Sequence, residues 1–228
     1  VKEMAKKKKK RVFKVKNIII LLFVFLGIVF LIYYGLTMPV KNVYISGNEI
    51  LSDDKIMKIS DLYEYPSFLL TSSRDISKNI LNDPYVKGVK IHKKFGNVVE
   101  IVIQEYRVVC SFGNKILLEN GRFLENSYSV MDVPLLINEV DNATVLKKFA
   151  QKFGEIDGDI LRQISEIEYQ PSSVDEERFL LYMSDGNLVY ITLTKVGKIN
   201  KYNQIKDKLE NHLGIIYLDS GDYVEIKK

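Results

Sequence analysis

Three short stretches carry residue types that could build a serine acyl-transfer site. Ser52-Asp53-Asp54-Lys55 fits Ser-x-x-Lys, Ser184-Asp185-Gly186-Asn187 approximates Ser-Asp-Asn, and Lys195-Val196-Gly197 approximates Lys-Thr-Gly. In that chemistry a serine attacks a carbonyl while a neighbouring group takes its proton, so the three stretches must converge. Each has a local role that fits better. Ser52 precedes two acids and an Ile56/Ile59 spacing, the pattern of a helix cap. Ser184–Asn187 lies between two strand-like runs and reads as a hairpin turn, and Lys195–Gly197 joins a strand to a helix. No catalytic residue is assigned. His92 and His212 lie far apart without Cys or carboxylates at ligand spacing, so neither a metal nor a cofactor is expected. Cys110 is the single cysteine and gives no disulfide framework.

The elements that would position any site begin with a charge asymmetry. Of 228 residues, the first 16 hold nine of the 33 Lys and Arg and one of the 29 acids, a local charge of +8. The remainder carries 24 basic against 28 acidic residues, or −4, so the net +4 reflects one tail rather than a nucleic-acid surface. Ile18 to Leu36 follows as 19 residues without a charge. As a helix they reach roughly 28 Å at 1.5 Å per residue, close to the ~30 Å hydrocarbon core. Lys6–Arg11, Lys14 and Lys16 precede the run and Lys41 follows it, which places the N-terminus in the cytoplasm. The run is longer than a signal-peptide core, and YYGLTMPVK offers no small-x-small cleavage pattern, so an uncleaved anchor is expected.

Beyond the anchor, Val43–Ser46 reads as a strand, and Gly47-Asn48 marks a corner. A Gly-Asn pair alone favours a hairpin turn, but Ser52, the acids and the Ile56/Ile59/Leu62 spacing turn the chain into a helix near Ser52–Leu62. Gly47 is expected to take a backbone angle that other residues resist. A second helix starts near Ser72 or Ser73, carries Ile76, Ile80 and Leu81, and stops before Asp83-Pro84. Strands Val86–Lys94 and Val98–Glu105 flank the tight turn Phe95-Gly96-Asn97. This β-α-α-β-β order suits a three-stranded sheet with two helices on one face. The rest is richer in hairpins: Ile116–Leu118 with Arg122–Leu124, Phe179–Met183 with Leu188–Thr194, and Ile215–Leu218 with Tyr223–Lys227. Two helices interrupt them, one with Val145, Leu146, Phe149 and Phe153, another near Ile199–Leu213 with Tyr202, Ile205 and Leu209. A second α+β domain on an antiparallel sheet is predicted. Two small domains also argue against the single larger fold that the serine chemistry uses.

In this order the chain resembles the FtsQ/DivIB family of bacterial cell-division proteins, over essentially its whole length. The motifs are V-x-x-V-x-I-x-G-N-x-x-L-S from Val40 to Ser52, DPYVKGVKIHKKFGNVVEIVIQEY from Asp83 to Tyr106, LLENGRFL with Val133–Ile137, and the closing GIIYLDSGDYVEIKK. The chain departs from the family at Phe95-Gly96-Asn97, where an aromatic-Pro turn is common, and at Tyr106–Val109. The resemblance implies a basic cytoplasmic tail (1–17), a transmembrane helix (18–37), a POTRA (polypeptide-transport-associated) domain (38–106) and a β domain (107–228). It implies a non-enzymatic divisome scaffold at the septum, with its C-terminal domains outside the cell membrane, linked to septal peptidoglycan synthesis. The implied partners are membrane-anchored coiled-coil division proteins of the FtsB/DivIC and FtsL type, with septal wall synthases beside them and no nucleic acid. The family's last strand maps partner contacts onto Leu218, Ser220, Gly221, Tyr223, Val224 and Ile226. An alternative is a membrane-anchored sensor of cell-wall glycan or peptide, to which Tyr182 and Tyr190 could contribute stacking faces.

Overall fold

A computed structural model describes residues 15–210 and 212–227. The basic stretch at 1–14 lies outside the described residues. The described residues begin with helix α1, Val15–Thr37, the single helix among them long and apolar enough to cross a membrane, with none of its side chains buried. Two compact units follow from the contacts: the chain up to Asn48 with Ser52–Pro84 and Gly88–Ile103, and Glu49–Leu51 with Tyr85–Lys87 and the chain from Gln104 onward.

The first sheet has the order β1 (Asn42–Ser46), β3 (Val98–Glu105), β2 (Val86–Lys94), with β1 parallel to β3. Helices α2 (Asp53–Ile59) and α3 (Ser73–Leu81) start where their caps dictate: Ser52 Oγ accepts from Lys55 N and Ser72 Oγ from Arg74 N. Ile56, Leu62, Ile76 and Ile80 are buried, as are the alternate β3 positions Val99, Ile101 and Ile103. Leu81, the last residue of α3, is half exposed. Gly47 has φ +82°, and a Cβ there would sit 2.2 Å from the Ile103 carbonyl oxygen, so the corner admits no side chain. Just beyond it, the Glu105 carboxylate accepts from the backbone N–H groups of Glu49, Ile50 and Leu51 at 2.7 to 3.0 Å.

The second sheet has nine strands, and its chain order is set by three parallel pairs among antiparallel ones. Its elements are β4 (Val108–Phe112), β5 (Lys115–Leu118), β6 (Phe123–Glu125), β7 (Leu135–Leu136), β8 (Ile164–Tyr169), β9 (Arg178–Met183), β10 (Leu188–Thr192), β11 (Gly214–Tyr217) and β12 (Tyr223–Ile226). In space they run β12-β11-β10-β9-β8-β7-β4-β5-β6. The three expected hairpins form, as β5–β6, β9–β10 and β11–β12. The sheet is antiparallel-rich rather than wholly antiparallel, since β4–β7, β7–β8 and β10–β11 are parallel. Helices α4 (Ala143–Gly154) and α5 (Gly158–Leu161) precede β8. The core centres on aromatic rings, with Phe149 stacked on Phe179 at 4.8 Å and Phe153 and Tyr169 against the same ring.

Cys110 lies in β4 and is fully buried, and burial pushes its thiol far above the usual range. Maleimide should therefore leave folded protein unlabelled and label it once urea passes the unfolding midpoint of the second unit. Labelling of native protein within minutes would show β4 to be open.

Candidate partner-binding edge

The chain between β10 and β11 crosses over through a 3-10 helix, Leu193–Lys201, and α6, Tyr202–Asp207, which is what allows β11 to lie parallel to β10. Sequence spacing led to the expectation of one helix near Ile199–Leu213. Leu193, Val196, Ile199 and Tyr202 instead recur every third residue and are all buried, the period of a 3-10 helix. The α-helical part then ends at Asp207, and Asn211, within the expected span, lies outside the described residues.

The Ser184–Asn187 turn holds that crossover in place. Tyr202 Oη donates to the Asp185 carboxylate at 2.8 Å, and Asn187 Nδ2 donates to Tyr202 Oη at 2.9 Å. Asn187 Oδ1 accepts from Gly214 N at 2.8 Å and so fixes the first residue of β11. Ser184 Oγ donates to the Gln163 carbonyl, Lys195 Nζ to the Asp219 carbonyl at 2.6 Å, and Ser52 caps α2. Ser52, Ser184 and Lys195 of the acyl-transfer pattern thus each have a structural partner.

The β11–β12 turn is tied down from below. Arg178 Nε donates to Asp219 Oδ2 at 2.8 Å, and Lys198 Nζ to Asp222 Oδ1 at 2.6 Å. Burial pushes the Asp185 and Asp219 carboxyls up. Hydrogen bonds outweigh it, from Tyr202 and Lys206 for the first and from Arg178 and Ser220 for the second, and hold both below the usual carboxylate range. A carboxyl depressed on folding stabilises the fold above its unfolded pKa, about 4, and loses that contribution as pH falls through its folded value. The urea midpoint of the second unit should accordingly fall as pH drops below about 4. In Asp185→Asn and Asp219→Asn this slope should flatten; an unchanged slope in both would remove the two carboxylates from the account.

Among the described residues β12 closes the sheet and pairs only with β11, in the register Gly214↔Ile226, Ile215↔Glu225, Ile216↔Val224, Tyr217↔Tyr223. Lys227 N donates to Leu213 O, one step further in the same register. Antiparallel bonding alternates, so Tyr223 and Glu225 turn their main-chain groups toward β11. Val224 and Ile226 turn theirs outward, to the open edge. Their side chains share the Ile216 face and are 39% and 54% exposed. Beside them runs a groove of about 400 Å³, floored by Ile205, Ile216, Leu218 and Val224 and walled by Lys198, Lys201 and Lys208. On the opposite face Tyr190, Tyr217 and Tyr223 stack across three strands, with centroids 5.2 and 4.5 Å apart.

The six residues mapped as partner contacts thus occupy one hairpin. Tyr223 (51% exposed), Val224, Ile226, Ser220 and Gly221 lie at the surface, whereas Leu218 is 4% exposed and belongs to the core beneath the turn. Spacing alone did not reveal the lysine-walled groove, because its residues come from the crossover and from β11–β12. The tyrosines considered for a glycan platform are engaged otherwise. Arg178 stacks on Tyr190 at 4.0 Å, and Tyr182 Oη donates to Glu168, which together with burial pushes the phenol up to about 12.

Comparison with known proteins adds a family to this geometry. Residues 38–106 match the POTRA domain, FtsQ-type. The cell division protein DivIB of Bacillus cytotoxicus is 30% identical over 181 residues, 76% of this chain and 71% of that protein. DivIB of Bacillus subtilis is 29% identical over 233 residues, 99% of this chain and 87% of the relative. The major extracytoplasmic domain of the trans isomer of DivIB from Geobacillus stearothermophilus is 26% identical, covering 47% of this chain and 96% of that domain with a TM-score of 0.39. The sequence identity across two thirds and more of the relatives' length carries the assignment: the chain belongs to the DivIB family of bacterial cell division proteins.

Proposed function

We propose that this protein is a non-enzymatic scaffold of the divisome, held in the cell membrane by α1 with its two exported domains, 38–106 and 107–228, outside the cytoplasm at the septum. It gathers other membrane-anchored division proteins by letting one of them add a strand to β12. The observation that carries this reading is the open edge itself. Val224 and Ile226 direct main-chain donors and acceptors outward, and an extended partner segment can complete that ladder. Ser220, Gly221, Tyr223, Val224 and Ile226 are the contacts, and Leu218 fixes the turn from beneath. Coiled-coil proteins of the FtsB/DivIC and FtsL type are the partners proposed, through which septal wall synthases are reached.

Co-purification from solubilised membranes tests this. Small integral-membrane proteins with heptad repeats should be recovered with the full chain in comparable amounts. Recovery of glycan fragments without any such protein would favour the sensor reading and overturn the scaffold.

A further inference from the structure

We propose that the end of the first unit nearest α1 is a second membrane contact, inserting Phe95, Leu69 and Leu70 into the headgroup region of the leaflet where α1 emerges. This rests on the reading that α1 spans the bilayer and adds a docking surface to it. The residues leaving α1 are bonded to two loops of the same unit. Ser67 Oγ donates to Leu36 O at 2.5 Å, Phe68 N to Met38 O at 2.8 Å, and Val40 N to Pro66 O at 2.9 Å. From the other side Lys41 N donates to Asn97 O at 2.8 Å and Asn97 Nδ2 to Pro39 O at 3.0 Å. The 65–71 loop and the β2–β3 turn are therefore fixed at the level where the helix ends. A Cβ on Gly35 would lie 3.5 Å from Leu69 Cδ1, which places that leucine beside the last turns of α1.

Both loops present apolar side chains to the outside. Phe95 at the tip of the turn is fully exposed, and Leu69 and Leu70 are 58% and 69% exposed. None of the three serves the core of the unit. A rim of large apolar side chains is costly in water and favourable at a lipid interface, where such groups reach roughly 5–10 Å into the headgroup boundary. The loop is rigid enough to act as a footing. Lys93 Nζ donates to the carbonyls of Phe68 and Thr71 and lies 4.2 Å from the Phe68 ring centroid. Exposed Lys41 and Lys94 flank the turn, and their ammonium groups suit lipid phosphates, although Lys94 shares its charge with Glu100 at 2.8 Å. The occupant is the bilayer rather than a protein, because the patch is continuous with the helix that enters it. A tethered domain with this second contact keeps one orientation to the membrane.

The test uses the full chain reconstituted in phosphatidylglycerol–phosphatidylethanolamine vesicles, with a nitrobenzoxadiazole reporter on one introduced cysteine at a time. Cys110 is buried and stays unlabelled. Reporters at Phe95→Cys and Leu70→Cys should be quenched by lipids bearing a headgroup-level nitroxide, with several-fold protection from aqueous iodide. Leu81→Cys is the water-exposed control, half exposed and near the start of β2, a strand about 26 Å long at 3.3 Å per residue. Phe30→Cys reports on the span. Iodide access at 95 and 70 equal to that at 81, with Phe30→Cys still lipid-quenched, would overturn the second contact alone. Loss of lipid quenching at position 30 would overturn the span and the contact together.

Discussion

Replacing Gly47 with alanine is expected to destabilise the first unit by at least ~3 kcal/mol, a large part of the ~5–15 kcal/mol that holds an ordinary domain. Two effects add. At φ +82° an L-residue meets the left-handed penalty of about 1–2 kcal/mol. The new Cβ would also stand 2.2 Å from the Ile103 carbonyl oxygen, a backbone atom of the neighbouring strand that cannot rotate away. Relief would require β1 and β3 to part where Glu105 binds three successive N–H groups of the corner. Gly96 separates the two effects. Its φ is +87°, but an added Cβ there meets nothing within 4 Å, so Gly96→Ala should cost only the backbone penalty, ~1 kcal/mol. Hydrogen exchange of peptides from residues 38–106 reads both variants against urea. Equal losses at the two positions would show that the Ile103 contact contributes nothing.

The corner was legible because each local signal had a distinct cause. The Ser52 cap, the acids behind it and the Ile56 spacing all pointed to a helix, and together they outvoted the turn preference of Gly-Asn. The apolar run of α1 was legible from composition alone. The strands that spacing missed are those where alternation breaks. In β8 the register shifts between Ile164 and Glu166, so the buried Ile164, Ile167 and Tyr169 do not fall on one period of two. β4 has a similar shift between Val108 and Cys110 and buries three consecutive residues, and β7 is only two residues long. The 3-10 segment misled for a related reason. Its buried residues keep a spacing of three from Leu193, and an α-helical period sets in only at its end. The candidate site was half legible. A turn with a following strand marks β12, but that it closes the sheet and borders a groove depends on long-range pairing.

Val224→Pro should weaken the partner complex at least ~30-fold, equivalent to about 2 kcal/mol, while leaving the first unit folded. Val224 is the residue at mid-strand whose N–H faces the open edge, so proline removes a donor that an added strand would use. It takes no bond from β11, because Tyr223 and Glu225 supply those. Tyr223→Pro acts differently: it removes the bond to Tyr217 and loosens β12 itself, which should also abolish binding and lower the stability of the β11–β12 hairpin. Tyr223→Ala discriminates main-chain from side-chain recognition. It deletes a ring stacked 4.5 Å from Tyr217 but keeps every outward main-chain group, so strand addition predicts a loss well below that of Val224→Pro. Val224→Lys places a charge on the apolar floor of the groove beside Lys198, Lys201 and Lys208, and the cost of desolvating it beneath an added strand should weaken binding. If the complex survives Val224→Pro but is lost in Tyr223→Ala, the partner is held by side chains on the tyrosine face, and the edge of β12 is not extended.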